Sequence, residues 1–352
     1  MMFGDKNRLV GLDIGSKAIK AAEVIEGKKG FVLSKFGMVD IAPGLIEDGA
    51  IKDPESVAEK IRTLFKSYGI KNHNVAISIG GYSVIVKKIS VQGATEAQLH
   101  DTIHFEAEQY IPFDINDVNL DFQILGENEN NPNQMNVLLV AAKKEMVNDY
   151  VNLAELAGLE PRIIDVDAFA LQNVFEHNYE PASGENIALI DIGASKTSLN
   201  ILKGSNSVFM RDVSLGCGQI NQKIAGMTEC TSQEAEAIKF GEGSEKITAE
   251  ALSDIISSVV TDWCTEIRRA LDFFYSTYPD DHIKRIFLSG GGGNIQELRQ
   301  LLAVETSAEV VTINPFQRFY IDNEKFDTEY MEKIAPQASI CMGLATRRVD
   351  DK

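Results

Sequence analysis

Leu9-Val10-Gly11-Leu12-Asp13-Ile14-Gly15-Ser16-Lys17 returns in altered form as Ala188-Leu189-Ile190-Asp191-Ile192-Gly193-Ala194-Ser195-Lys196. Each copy is an apolar run ending in Asp-Ile-Gly, then a small or polar turn, then another strand-like run. The two aspartates stand 178 residues apart (191 − 13). Two buried strands therefore each deliver a carboxylate to a glycine turn, once in each half of the chain. The pattern predicts two related lobes facing one ligand, a nucleotide with its metal.

The chemistry explains why these residue types recur together. A carboxylate at a strand end can hold Mg²⁺ through its waters, while the N–H groups of the turn contact phosphate oxygens. Gly15 and Gly193 allow close backbone approach, and Ser16, Lys17, Ser195 and Lys196 add hydroxyl donors and positive charge. For a single copy, an aspartate that merely caps its turn explains the residues as well; the repetition favours a shared site. A third element is Ser289-Gly290-Gly291-Gly292-Gly293-Asn294, after the apolar run 285–288. Glycines there admit a flat ring or a phosphate, and a helix from Asn294 onward would favour an anion. A flexible glycine loop is the competing account. Neither a GxxxxGK[ST] loop nor a GxGxxG after a strand occurs in the chain.

At 352 residues, 44% of them hydrophobic, the chain is long enough for two domains with real cores. Its 34 basic against 52 acidic residues leave a net charge of −18, which argues against nucleic acid as a partner. The cysteines at 217, 230, 264 and 341 have no CxxC spacing and read as reduced core residues. Met1 to Gly15 lacks the apolar core of a signal peptide, and residues 347–352 form no amphipathic anchor. No run reaches the roughly 20 apolar residues that span a bilayer, so membrane attachment is expected through a partner, without direct insertion.

Along the chain, 8–14 and 18–25 read as a hairpin and 31–40 as a third strand. Asp53-Pro54-Glu55 opens a helix that ends near Gly69. Residues 75–80 and 83–91 are strand-like. The texture then changes: a helix at 95–110, strands near 118–125 and 135–142 around a polar turn at 126–134, and a helix at 143–157. This α+β unit looks inserted before the second Asp-Ile-Gly phrase. Strands at 187–192, 197–202 and 206–213 follow, then a short charged helix at 232–240. An amphipathic helix at 248–278 carries Trp263 on its apolar stripe.

The two Asp-Ile-Gly hairpins and the Ser-Gly-Gly-Gly-Gly turn resemble the phosphate-1, phosphate-2 and adenosine motifs of the actin-like ATPase superfamily. That superfamily includes actin, sugar kinases, DnaK-type chaperones and FtsA. Glu106-Ala107-Glu108-Gln109-Tyr110-Ile111-Pro112-Phe113 and Glu266-Ile267-Arg268-Arg269-Ala270-Leu271-Asp272-Phe273-Phe274 narrow the resemblance to the PilM family of type IV pilus assembly. It covers nearly the whole chain, from Leu9 to about Arg347.

The resemblance implies an α/β, actin-like ATPase fold of two ribonuclease-H-like lobes with an inserted FtsA/PilM-type α+β subdomain. The first lobe core would be 1–91, the inserted subdomain 92–160, and the interdomain connection 161–184. The second lobe core would be 185–225 and 283–347, with a helical subdomain at 226–282. ATP with Mg²⁺ would occupy the cleft, the metal ordered by Asp13 and Asp191 largely through water. Gly15, Ser16, Lys17, Gly193, Ala194, Ser195 and Lys196 would serve the phosphates. Gly290, Gly291 and Gly292 would lie against the adenosine, with Glu236 and Lys239 facing ribose or base; a solvated helix pair explains the last two equally well. Gly216-Cys217-Gly218 departs from the Gly-Gly pattern usual after the second hairpin.

The resemblance further implies a cytoplasmic scaffold peripheral to the inner membrane. It would bind the N-terminal cytoplasmic peptide of a PilN-like membrane protein in a groove beside the inserted subdomain, with pilus motor ATPases as further contacts. Phe105, Tyr110 and Phe113 are the candidate groove residues, against ordinary core packing. Hydrolysis needs a group that orients or deprotonates water; Asp165 is the candidate, a helix cap the alternative, and turnover is expected to be slow at most. A small-molecule kinase and an FtsA-like filament are the competing functions. His100, His104 and Glu108 share metal-compatible i, i+4, i+8 spacing, but a solvated helix face accounts for them.

Overall fold

The computed structural model describes residues 7–27, 30–128, 131–182, 184–241 and 246–351. The first six residues of the N-terminal reading, residues 129–130 in the polar turn 126–134, and Lys352 of the C-terminal stretch lie outside the described residues.

The chain opens with β1 (Val10–Ile14), β2 (Ala18–Gly27) and β3 (Gly30–Asp40). A small hairpin, β4 (Ile46–Glu47) and β5 (Ala50–Ile51), leads into α1 (Pro54–Tyr68). Asp53 accepts the Ser56 N–H at 3.0 Å, and Gly69 ends the helix at φ 61°, as its start and stop residues predict. Next come β6 (Asn74–Ile79), β7 (Val84–Gln92), α2 (Glu96–Ala107), β8 (Val118–Asn128) and β9 (Asn131–Lys143). The half closes with α3 (Lys144–Leu156), β10 (Glu160–Val166) and α4 (Asp167–Asn178).

The second half holds β11 (Asn186–Ile192), β12 (Thr197–Lys203), β13 (Asn206–Val213), α5 (Gly218–Thr228) and α6 (Ser232–Lys239). It continues with α7 (Ala249–Thr277), β14 (Ile283–Ser289), α8 (Gln296–Thr306), β15 (Glu309–Thr312), α9 (Thr328–Ile334) and α10 (Ser339–Ala345). The 29 residues of α7 run unbroken for roughly 44 Å and bury Val259, Trp263, Ile267, Leu271 and Phe274 against the second sheet.

Two five-stranded sheets have one topology. The orders are β10-β6-β1-β2-β3 and β13-β12-β11-β14-β15. In each, an antiparallel three-strand meander is extended by two parallel strands on the far side of its first strand. Both Asp-Ile-Gly phrases therefore close a central strand at its carboxyl end, where ligands of such sheets collect. A shared core joins the sheets: Ala22, Val24 and Phe36 pack with Phe175 of α4 and with Leu189 and Phe287.

Sheet membership moves two of the expected boundaries. β7 belongs to a separate sheet, β7-β9-β8, covered by α2, so the chain leaves the first sheet after Ile79 rather than after residue 91. α3 packs on α1, β6 and β10, and so sides with the first lobe rather than the insertion. The C-terminal α10 also packs on β1, β2 and α4, although residues 283–347 were assigned to the second lobe. A Cβ on Gly11 would lie 2.1 Å from the Cys341 carbonyl oxygen, which is how close the helix comes. All seven α10 residues are buried, so the segment carries no amphipathic period from which its packing partner could be read.

Candidate functional site

The two phrases face each other: Ser16 Oγ lies 3.0 Å from Ser195 Oγ across 179 residues of sequence. Behind the turns, the hairpins differ. In the first, the register sets Lys20 opposite Asp13, and its ammonium donates to Asp13 Oδ2 at 2.7 Å. Burial works against the Lys20 charge, but the carboxylate outweighs it and raises the lysine's pKa. In the second hairpin the same register position opposite Asp191 is Ser198, and among the described residues no salt bridge to Asp191 forms. Burial pushes the Asp191 carboxyl up to about 6, the neighbouring Asp13 adds repulsion, and the Ser289 hydroxyl partly opposes them.

The two turn lysines are not equivalents. Gly15 N–H bonds the Ala18 carbonyl and Gly193 N–H bonds the Lys196 carbonyl, so Lys196 corresponds to Ala18 and Lys17 to Ser195. Lys17 points outward, 3.8 Å from Asp40. Lys196 turns inward and donates to Asp167 Oδ2 at 2.5 Å, while Ser78 Oγ donates to the other oxygen at 2.6 Å. Burial alone would raise the Asp167 pKa; Lys196 and these hydrogen bonds bring it below the ordinary carboxylate value.

The glycine turn packs onto the second phrase. Gly290 stands at φ 76°, and a Cβ there would lie 2.4 Å from the Ile192 carbonyl oxygen. A Cβ on Gly292 would meet Ile192 Cγ2 at 2.4 Å, while Gly291 has only Cys217 Sγ, at 4.0 Å. Gly291 to Asn294 form a 3-10 turn and the helix starts at Gln296, two residues later than expected. Gly216-Cys217-Gly218, the departure noted in the sequence, docks on the second turn: Cys217 N–H donates to Gly193 O at 3.0 Å and Gly218 N–H to Ala194 O at 2.8 Å. Burial pushes the Cys217 thiol up to about 12, so it is inert.

Glu236 and Lys239 are not a solvated pair. Their side chains are 21% and 14% exposed and bond each other at 2.8 Å, and Asn221 also donates to Glu236. Burial disfavours the Glu236 charge, but Lys239, Asn221 and the approaching Lys17 lower its pKa. Lys17 of the first lobe thus faces the α6 pair of the second.

Asp165 falls outside this group. It is buried at the end of β10, where Arg347 Nη1 lies 3.2 Å from Oδ2 and Val166 N–H donates to Oδ1. The carboxylate ties α10's trailing segment to the first sheet. Asp167, two residues later and the first residue of α4, is the one beside the turns. Alternation along a strand would set residues 165 and 167 on one face, so the turn of the chain from β10 into α4 is what separates their surroundings. Lys20 was missed too, although a hairpin turning at 15–18 sets 13 opposite 20.

Of the candidate groove residues, only Phe105 is free, 72% exposed on α2. Tyr110 and Phe113 are half-buried against the inserted unit's core, under Lys87 at 5.1 Å and Lys143 at 4.4 Å. Among the described residues no three His, Cys, Asp or Glu side chains gather as a metal-ligand cluster, so His100, His104 and Glu108 form none. No helix among them is long and apolar enough to cross a membrane.

Two sheets of one topology, joined through α4 and meeting at paired Asp-Ile-Gly turns, define the actin-like ATPase fold. The ethanolamine utilization protein EutJ from Carboxydothermus hydrogenoformans shares it, with a TM-score of 0.59 at 13% identity over 98% of this chain and 91% of that one. MreB5 of Spiroplasma citri bound to AMPPNP shares it too, with a TM-score of 0.52 at 13% identity over 97% and 95%. The chain belongs to the family of the type IV pilus assembly protein PilM, whose family model matches residues 11–349. The PilM–PilN type IV pilus biogenesis complex is a solved structure with 28% identity and a TM-score of 0.85, over 96% of this chain and 97% of that one.

Proposed function

We propose that the cleft between the two turns binds ATP with Mg²⁺ and that the protein is a nucleotide-dependent scaffold of type IV pilus assembly. In that role it holds the N-terminal cytoplasmic peptide of a PilN-like inner-membrane protein and meets the membrane, and the pilus motor ATPases, through such partners. Membership of the PilM family and 28% identity to the PilM–PilN complex support the scaffold role. One observation carries the nucleotide assignment: the turns that follow Asp13 and Asp191 meet across the lobes, with Ser16 Oγ 3.0 Å from Ser195 Oγ.

That donor set fits a hydrated cation, with Asp13 and Asp191 as its acceptors. When bound, the cation would neutralise phosphate charge. Gly15, Ser16, Gly193, Ala194 and Ser195 would orient phosphates through the turns, with Lys17 at their outer edge. Gly290 to Gly292 and the Glu236–Lys239 pair would hold the adenosine. Lys196 is engaged by Asp167 and Asp165 by Arg347. Among the described residues, neither acid at the junction of β10 and α4 is thus free to activate water or an acceptor hydroxyl, which favours a slow scaffold over the kinase reading.

Calorimetry with ATP and Mg²⁺, and with a synthetic N-terminal peptide of the PilN-like partner, tests both halves. Wild type is expected to bind each, and Asp191→Ala to lose the nucleotide alone. Equal nucleotide binding by wild type and Asp191→Ala would sink the cleft assignment; a silent peptide would sink the scaffold role.

A further inference from the structure

The segment that leads from the first sheet into the inserted unit touches the second turn of the cleft. Between the end of β6 at Ile79 and the start of β7 at Val84, the chain is held at successive residues. A Cβ on Gly80 would lie 2.3 Å from Lys196 Nζ and 2.5 Å from Asp167 Oδ2, so that ion pair fills the place of a side chain. Gly81 stands at φ 90° and its N–H donates to Asp212 Oδ2 at 2.5 Å. Tyr82 Oη lies 3.5 Å from Ser214 Oγ. Asp212 sits on β13, the edge strand of the second sheet, and β7 is the edge strand of the inserted sheet. The two strands lie against each other beside a cleft of about 810 Å³ shared by the inserted unit, α7 and the second sheet.

We infer that Asp212 and the Lys196–Asp167 pair form a link through which phosphate at the second turn shifts the inserted unit against the second lobe. The inference rests on the nucleotide binding proposed above. Lys196 belongs to the turn itself, and its ammonium carries one charge that phosphate and Asp167 compete for. Phosphate that draws the ammonium away vacates the volume beside Gly80 and leaves Asp167 held by Ser78 alone. Gly80 and Gly81 lack side chains to resist the adjustment, and the hydrogen bond from Gly81 carries it to β13. A ligand shifts such an equilibrium only through unequal affinity for its two states, and the competition for Lys196 supplies that inequality. Asp212, which accepts from the Gly81 N–H, is a positioning residue.

Hydrogen exchange of the full chain tests the link, with ATP·Mg²⁺, ADP·Mg²⁺ and inorganic phosphate as separate arms. In wild type, saturating ATP is expected to change exchange in β7 and β9 by about fivefold or more, the lower range of typical coupling. Asp212→Ala should bind ATP as wild type does, with the change confined to the turns. Asp212→Asn, which keeps an acceptor for Gly81, should restore it. Gly80→Ala, which forces Lys196 from Asp167, should show part of the ATP pattern without ligand. The link is overturned if ATP saturates wild type without altering β7, or if Asp212→Ala retains the wild-type change. Absence of ATP binding in calorimetry would overturn the cleft assignment and the link together.

Discussion

The two Asp-Ile-Gly hairpins share a sequence phrase, a strand topology and a turn hydrogen bond, yet they carry opposite electrostatics. The first neutralises its own aspartate: Lys20, directly across the hairpin, closes a buried ion pair with Asp13. The second has Ser198 at that position, so Asp191 has no lysine across its own hairpin, and the turn lysine reaches out of the hairpin to Asp167 at the start of α4. One copy is therefore self-contained, and the other depends on groups outside it. On the nucleotide binding proposed above, the asymmetry gives a stabilising role to the first hairpin and a ligand-responsive one to the second.

Lys20→Met is the strongest way to break the comparison, because it strands Asp13 in the interior. Removing one partner of a buried pair costs about 3–5 kcal/mol, to be read as a lower urea midpoint; a change under about 1 kcal/mol would mean that the first hairpin is not self-contained. Asp191→Asn tests the other copy with the opposite sign. A folded-state pKa of about 6, above the ordinary 3.8, means that the charged carboxylate is disfavoured in the fold. Wild-type stability is thus lost as pH rises from about 4 through about 6, and the amide escapes that loss. Without ligand, the variant is expected to be more stable than wild type by about 3 kcal/mol at pH 7.5 and equal to it near pH 4, as judged by urea unfolding at both values. A variant less stable at pH 7.5 would show that Asp191 is compensated after all. Ser16→Ala has the smallest expected effect. It removes one partly buried hydroxyl contact between the lobes, worth about 0.5–1 kcal/mol, so its melting temperature should fall only slightly.

Much of this site is legible from residue order. Asp13, Asp191 and the glycines announce themselves because strand, carboxylate and turn are consecutive in the chain, and the helix bounded by Asp53 and Gly69 is legible for the same reason. A second, looser likeness links the fourth strand of each sheet in chain order: paired glycines follow it and a serine lies at or next to its end, Ser78-Ile79-Gly80-Gly81 and Ser289-Gly290-Gly291. In the second lobe those glycines pack on the turn; in the first they open the inserted unit. Asp165 and Asp167 are acids two residues apart at the junction of β10 and α4, and only the packing of Arg347 and Lys196 separates them. The surroundings of the groove aromatics are non-local in the same way. Exposure of Phe105 and covering of Tyr110 and Phe113 depend on Lys87 and Lys143, which lie on other strands.

By itself, the sequence determined that the chain holds two related lobes, each with an acidic turn, and an insertion before the second. Those features are local, written in apolar periods, turn residues and caps within a few positions of one another. Only the tertiary structure decided which lysine neutralises which aspartate, which carboxylate reaches the turns, and to which sheet β7 and α10 belong. Charge pairing and sheet membership depend on distances across the fold, and buried segments such as α10 present no polar face from which their neighbours could be inferred.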